Sequence, residues 1–117
     1  MTKPQDLPYT ISGREQVAEI SGVRVQVLTL ESGEIIPWHY HSTVFDIFVC
    51  LKGTTIVETR APRTRQELAP GEHCIVLPMT AHQAFCPKDT DCQFVIVQGV
   101  GEHDFNLLVG SRTTKKT

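Results

Sequence analysis

The chain has 117 residues, 11 Lys and Arg against 13 Asp and Glu, and a formal net charge of -2. That is enough polypeptide for one domain over residues 1–117 with its own apolar core, and the absence of a basic stripe removes the electrostatic footprint of a nucleic-acid binder. Cys50, Cys74, Cys86 and Cys92 show no C-x-x-C spacing, so reduced and mostly buried thiols are expected rather than a disulfide framework.

The N-terminus, M-T-K-P-Q-D-L-P, has neither the apolar stretch of a secretory signal nor the arginine-rich pattern of a transit peptide. Nowhere do about 18 apolar residues run together, so a cytoplasmic chain with no membrane partner is expected. Residues 1–13 read as an arm, with an edge strand as the alternative around its prolines. From Arg14 to Ile20 and from Val23 to Leu30, short alternating segments flank the Ser21-Gly22 break. In V-R-V-Q-V-L-T-L, Val23, Val25, Val27 and Thr29 share one face, and Arg24, Gln26, Leu28 and Leu30 the other, as in a half-buried strand.

The stretch from Gly33 to Gly53 carries His39 and His41, two apart among β-formers. On a strand both imidazoles point to one face, roughly 6.6 Å apart at Cα, a spacing that suits a shared metal ion. A third nitrogen is needed, and His82, in L-P-M-T-A-H-Q-A-F, is the candidate. Beyond Gly53, T-T-I-V-E-T-R and T-R-Q-E-L-A-P-G form a hairpin around Ala61-Pro62-Arg63. H-C-I-V-L, T-A-H-Q-A-F-C and Q-F-V-I-V-Q follow at short intervals, and E-H-D-F-N-L-L adds a last strand or one helical turn. Eight or so short strands predict an all-β sandwich or barrel. The basic tail, 111–117, reads as a solvated terminus.

The chain resembles the cupin superfamily, specifically its small single-domain bacterial members. The first motif of that family is G-x5-H-x-H-x3,4-E-x6-G, and Gly33, His39, His41 and Gly53 match it in register with Asp46 at the glutamate position. The second, G-x5-P-x-G-x2-H-x3-N, fits more loosely: Gly71 and His82 keep their separation, Pro78 is displaced by one, Met79 stands at the second glycine and Cys86 at the asparagine. The resemblance covers about residues 25–100. It implies a double-stranded β-helix, a jelly-roll barrel around a ligand cavity, with His39, His41, Asp46 and His82 on a divalent metal such as Fe, Mn, Ni or Zn, and frequent homodimers. Aspartate is one methylene shorter than glutamate, roughly 1.5 Å of reach, so Asp46 is either a direct ligand or a hydrogen-bond partner of a ligand imidazole.

Reading every second residue outward from these ligands lines the cavity with Ile35 and Pro37, with Phe48 and Cys50, and with Thr80, Ala84 and Cys86, while Gln98 supplies a polar contact if it faces inward. Trp38 and Tyr40 then point away from the histidines, and His73 and His103 lie outside the motifs as exposed or loop residues. No Arg or Lys falls on those faces, since Arg60, Arg63 and Arg65 cluster at the hairpin turn. A small, largely apolar carbonyl, enol or carboxylate compound is the expected ligand. A metal-dependent dioxygenase is the leading activity. An isomerase or lyase requires a general base, for which His73, His103 and an unbound Asp46 are the only guesses, and a non-catalytic binder or sensor is the competing class.

Overall fold

The computed structural model describes residues 8–108 and residue 110. Residues 1–7 of the expected arm and the whole basic tail lie outside the described residues. Ten strands follow in order: β1 (Gly13–Ile20), β2 (Val23–Leu30), β3 (Ile35–Tyr40), β4 (Phe45–Lys52), β5 (Thr55–Thr59), β6 (Thr64–Leu68), β7 (His73–Val76), β8 (His82–Phe85), β9 (Cys92–Gly99) and β10 (Asn106–Leu107). The Glu102 segment thus ends in a strand. No helix occurs among the described residues, and none is long and apolar enough to cross a membrane.

All pairings are antiparallel, and the strands form two five-stranded sheets, β1-β2-β9-β4-β7 and β10-β3-β8-β5-β6. Period-two alternation decides what lies between them. In β2 the inward set is Arg24, Gln26, Leu28 and Leu30, all buried, whereas the valines alternating with them are half-buried on the outer face. Leu28, Leu30, Phe48, Phe94, Val57 and Ala84 belong to one apolar cluster that fills one end of the space between the sheets. At about 25 cal/mol per Å² of apolar surface removed from water, such a cluster is the main favourable term for a helix-free fold. The polar residues Arg24, Gln26, Asp46 and Gln98 occupy the inward positions nearer the other end.

Two turns fix the histidine-bearing strands. Gly53, after β4, has φ +72°, and a Cβ there would fall 2.4 Å from the Asp91 carbonyl oxygen, so only glycine fits. Met79 adopts φ +64° at the family's glycine position, and its N–H donates to the His41 carbonyl at 2.8 Å. The left-handed backbone is therefore kept without the glycine, and the Met79 side chain is exposed.

The cysteines correct the expectation of four thiols. Cys86, just past β8, and Cys92, which opens β9, are joined as a disulfide with their Cα atoms 5.8 Å apart. The bend through 87–91 returns the chain on itself and brings together residues six apart in sequence, a proximity that depends on the turn and not on a short motif. Cys50 and Cys74 remain free, and burial pushes the Cys74 thiol up to about 11.

Candidate metal centre

β3 delivers His39 and, just past its end, His41; β4 delivers Asp46; β8 delivers His82 beside His39, its partner across the β3–β8 ladder. One ligand atom from each of these four buried residues lies within 4.8 Å of every other. Each imidazole has its Nδ1 against a backbone carbonyl: His39 to Pro37 at 2.6 Å, His41 to Asp104 at 2.5 Å and His82 to Thr80 at 2.9 Å. A carbonyl only accepts, so Nδ1 carries the hydrogen in all three rings, and in the neutral tautomer each Nε2 offers a lone pair.

Asp46 Oδ2 lies 3.1 Å from His41 Nε2 and 3.0 Å from His82 Nε2. The shorter side chain therefore does reach the imidazoles. Lone pairs of two nitrogens and a carboxylate oxygen pointing at one spot need a proton or a cation between them, and the donor set of three imidazoles and one carboxylate suits a divalent transition metal. The electrostatics agree. Burial and the neighbouring His82 and His41 hold the His39 pKa well below its ordinary value. Burial also opposes charge on His41, but the Asp46 carboxylate outweighs it and the pKa is raised. For Asp46, burial favours the neutral acid, yet the hydrogen bonds and charges of His41 and His82 win and the carboxyl stays ionised far below its usual range.

Gln98 holds the other carboxylate oxygen. Its Nε2 donates to Asp46 Oδ1 at 3.0 Å, and its Oε1 accepts from Arg24 Nε and Nη2 at 3.2 and 2.8 Å. Arg24, Gln98 and Asp46 sit side by side across β2, β9 and β4, so the chain of contacts follows directly from strand register. Phe105 stacks on His39 with centroids 4.1 Å apart and planes 18° from parallel, and Tyr9 packs on Phe105 at 5.4 Å. The Tyr9 hydroxyl accepts from Arg14 Nη2 at 2.9 Å, and Glu34 Oε1 accepts from Ser12 N and Ser12 Oγ, both at 2.8 Å.

The cavity beside the cluster has a volume of about 30 Å³, and its lining corrects the predicted wall. Phe48 and Gln98 face it. Ile36 lines it in place of Ile35 and Pro37, because the β3–β8 ladder shifts register between Ile36 and His39. Pro37, which has no N–H to give, sits in that bulge and turns its carbonyl to His39. Cys50 and Ala84 are buried in the apolar cluster instead, Thr80 lends only its carbonyl to His82, and Cys86 has left β8 for its disulfide. Arg14, Arg24 and Gln26 also line the cavity, as do Tyr9, Asp104 and Phe105, so the expectation of a wall without cations fails. The signal was present in V-R-V-Q-V-L-T-L, where Leu28 and Leu30 mark the inward face that Arg24 and Gln26 share. His73 is exposed on β7, whereas His103, expected to be exposed or in a loop, is a loop residue but buried, with Nε2 3.2 Å from the Gln98 carbonyl. Trp38 does point away from the histidines, and lies beneath the Arg60 guanidinium at 4.0 Å.

With this geometry in place, the comparisons agree on its kind. The cupin domain model matches residues 26–98, and the chain belongs to that family. No curated protein matches it in sequence. Among solved structures, it is similar to an uncharacterised conserved protein with a double-stranded β-helix domain from Klebsiella pneumoniae, at 24% identity and TM-score 0.67 over 80% of this chain and 81% of that one. It is also similar to KdgF from Halomonas sp., at 17% identity and TM-score 0.66 over 86% and 94% of the two chains. Oxalate oxidase matches at 17% identity and TM-score 0.67 over 74% of this chain and 46% of its own. At these identities the likeness is one of fold.

Proposed function

We propose that the chain binds one divalent transition metal through His39, His41, Asp46 and His82 and acts on a small oxygen-bearing molecule as a metal-dependent oxygenase. The observation that carries this reading is the convergence of four buried donor atoms whose own hydrogens are all directed elsewhere. Iron or manganese held by these four residues would supply redox chemistry with dioxygen. The chain itself contributes orientation: carbonyls of Pro37, Thr80 and Asp104 fix the rings, Gln98 fixes the carboxylate, and Phe105 with Tyr9 keeps bulk water from the cavity. An isomerase or lyase falls behind because His73 is exposed, His103 faces a backbone carbonyl and Asp46 belongs to the donor cluster.

A binder or sensor without chemistry is the second reading, favoured by the small cavity, which holds only a few water-sized groups. The two separate in one experiment. Chain reconstituted anaerobically with Fe(II) or Mn(II) is mixed with oxygen and a panel of short carbonyl and carboxylate compounds, and oxygen uptake is recorded. The oxygenase reading expects metal-dependent uptake with at least one compound. Metal binding without uptake or product across the panel favours the binder.

Homodimerisation is part of the same proposal. Strand register lines up Val25, Val97, Ile47 and Ile75 on the outer face of the β1-to-β7 sheet, with Val27, Val95 and Val49 in the adjoining row. These seven residues span four strands, three steps of ~4.8 Å, in two rows ~6.6 Å apart, and Ala18, Glu15 and His73 border them in the same rows. A second copy offers the matching flat face. Light scattering is expected to give a dimer for the native chain and a monomer for Val97→Glu; a native monomer at micromolar concentration contradicts it.

A further inference from the structure

A cleft of about 460 Å³ opens against the four-residue turn that joins β5 to β6. Trp38 forms part of its wall, and since successive side chains of a strand point to opposite faces, the cleft and the His39 ring lie on opposite sides of β3. Its volume is that of a small-molecule site, ~300–1,000 Å³. Solvent reaches it freely, because Arg60, Arg63 and Arg65 on its wall are all exposed.

The turn is tied down at both ends. Thr59 Oγ1 donates to the Pro62 carbonyl at 2.7 Å, which uses its one hydrogen, so Thr64 Oγ1 is the donor in the 2.5 Å contact between the two threonines. The Arg60 backbone N–H donates to the Ala81 carbonyl at 3.0 Å and joins the turn to the segment before β8. Arg60 and Arg63 are the first and last residues of this turn, within about 7 Å of each other at Cα. The Arg60 guanidinium is held over the Trp38 ring, 4.0 Å from its centroid. Stacking of this kind engages the face of the planar fork and leaves its N–H edge for another partner.

The wall carries three arginines and one glutamate. Glu58 is satisfied on both oxygens, Oε2 by Arg65 Nη1 and Oε1 by Gln83 Nε2, each at 2.7 Å, and Arg65 Nε meets Glu67 Oε2 at 3.1 Å. Arg65 is therefore compensated. Arg60 and Arg63 make no ion pair with a carboxylate among the described residues. Two positive charges thus stand at the two ends of one short turn, at the mouth of a cleft, without a counter-charge.

We propose that this cleft binds a small phosphate monoester, with Arg60 and Arg63 gripping the phosphate and the organic part lying in the remaining space. A phosphate monoester brings about -1.5 to -2 charges at pH 7 and three acceptor oxygens, which matches two guanidinium forks. A carboxylate brings one charge and two oxygens, and a single fork satisfies it. The turn is already ordered by Thr59, Thr64 and the Ala81 carbonyl, so little further ordering opposes binding. The site shares no side chain with the histidine cluster and stands or falls apart from the metal reading.

Trp38 is the single tryptophan of the chain, so tryptophan emission reports on this cleft. The full chain is titrated at fixed ionic strength with ribose 5-phosphate, ribose, inorganic phosphate and succinate, followed by emission and by calorimetry. Ribose 5-phosphate is expected to change the emission saturably, to bind at least threefold more tightly than inorganic phosphate and at least tenfold more tightly than succinate, and ribose to give no response. Arg60→Gln and Arg63→Gln are each expected to weaken ribose 5-phosphate at least tenfold. Both positions are exposed, and an unchanged urea midpoint shows that each variant is folded. Lys52→Gln, which removes an exposed cation from the other sheet, is expected to keep the native affinity within twofold. No saturable response to ribose 5-phosphate, equal affinity for succinate or inorganic phosphate, native affinity in Arg63→Gln, or an equal loss in Lys52→Gln overturns the site.

Discussion

Gln98 donates its amide N–H to Asp46 Oδ1 at 3.0 Å while Arg24 grips the opposite end of the same amide at 2.8 Å. The Asp46 carboxylate is thus presented with Oδ2 toward His41 and His82 and Oδ1 already satisfied. Gln98→Leu removes the amide donor to Oδ1 and the amide oxygen that Arg24 Nε and Nη2 hold. Metal affinity, measured by competition with a chelator, is expected to fall about 10- to 100-fold with all four ligands still present. An unchanged affinity means that Asp46 is held by the imidazoles alone.

The metal-free chain has a predictable pH profile. His39 is held well below its ordinary pKa by burial and by its histidine neighbours, so the unfolded chain binds that proton more readily. Stability therefore falls as pH drops below about 6.5, at up to ~1.4 kcal/mol per pH unit for the one group. Asp46, depressed in the folded state, adds a contribution that is present above about pH 3.9 and lost as pH falls further. The raised pKa of His41 works on the other side: its contribution is full below about pH 6.5 and is lost as pH rises through the folded value. Urea melts in chelator are expected to show maximal stability near pH 6.5. A midpoint that rises steadily through pH 8 contradicts these assignments.

Much of the centre was legible because strand geometry is periodic. His39 and His41 had to share a face, and the preserved Gly71-to-His82 separation carried His82 to the same place even with Met79 where the family has glycine. The wall was less legible for two physical reasons. A bulge at Pro37 exchanges Ile35 for Ile36, and no pattern of alternating residues announces a bulge. On β2 the outward face is the one rich in valine, while the inward face carries Arg24 and Gln26, so ranking faces by hydrophobicity selects the wrong one when a cavity is polar. Tyr9, Asp104 and Phe105 come from segments outside the barrel motifs and meet the site only through the tertiary fold.

The Cys86–Cys92 bond closes a short loop at the far end of β8 from His82. Loop-closure entropy for so few residues corresponds to about 2 kcal/mol. The double variant Cys86→Ala, Cys92→Ala is expected to lose about that much stability in denaturant melts while keeping metal affinity within a few fold, since neither residue touches the cluster. A large loss of metal affinity shows that the β8–β9 turn sets the position of His82.

His39, His41, Asp46 and His82 are expected to share one cation. Metal-free chain incubated in turn with Fe(II), Mn(II), Ni(II) and Zn(II), freed of excess and analysed for bound metal, tests it directly, with His82→Ala in parallel. Close to one equivalent per native chain is expected for at least one of these metals, with a loss of more than tenfold in affinity for the variant. Less than a tenth of an equivalent on the native chain with every metal, or equal binding by His82→Ala, contradicts it.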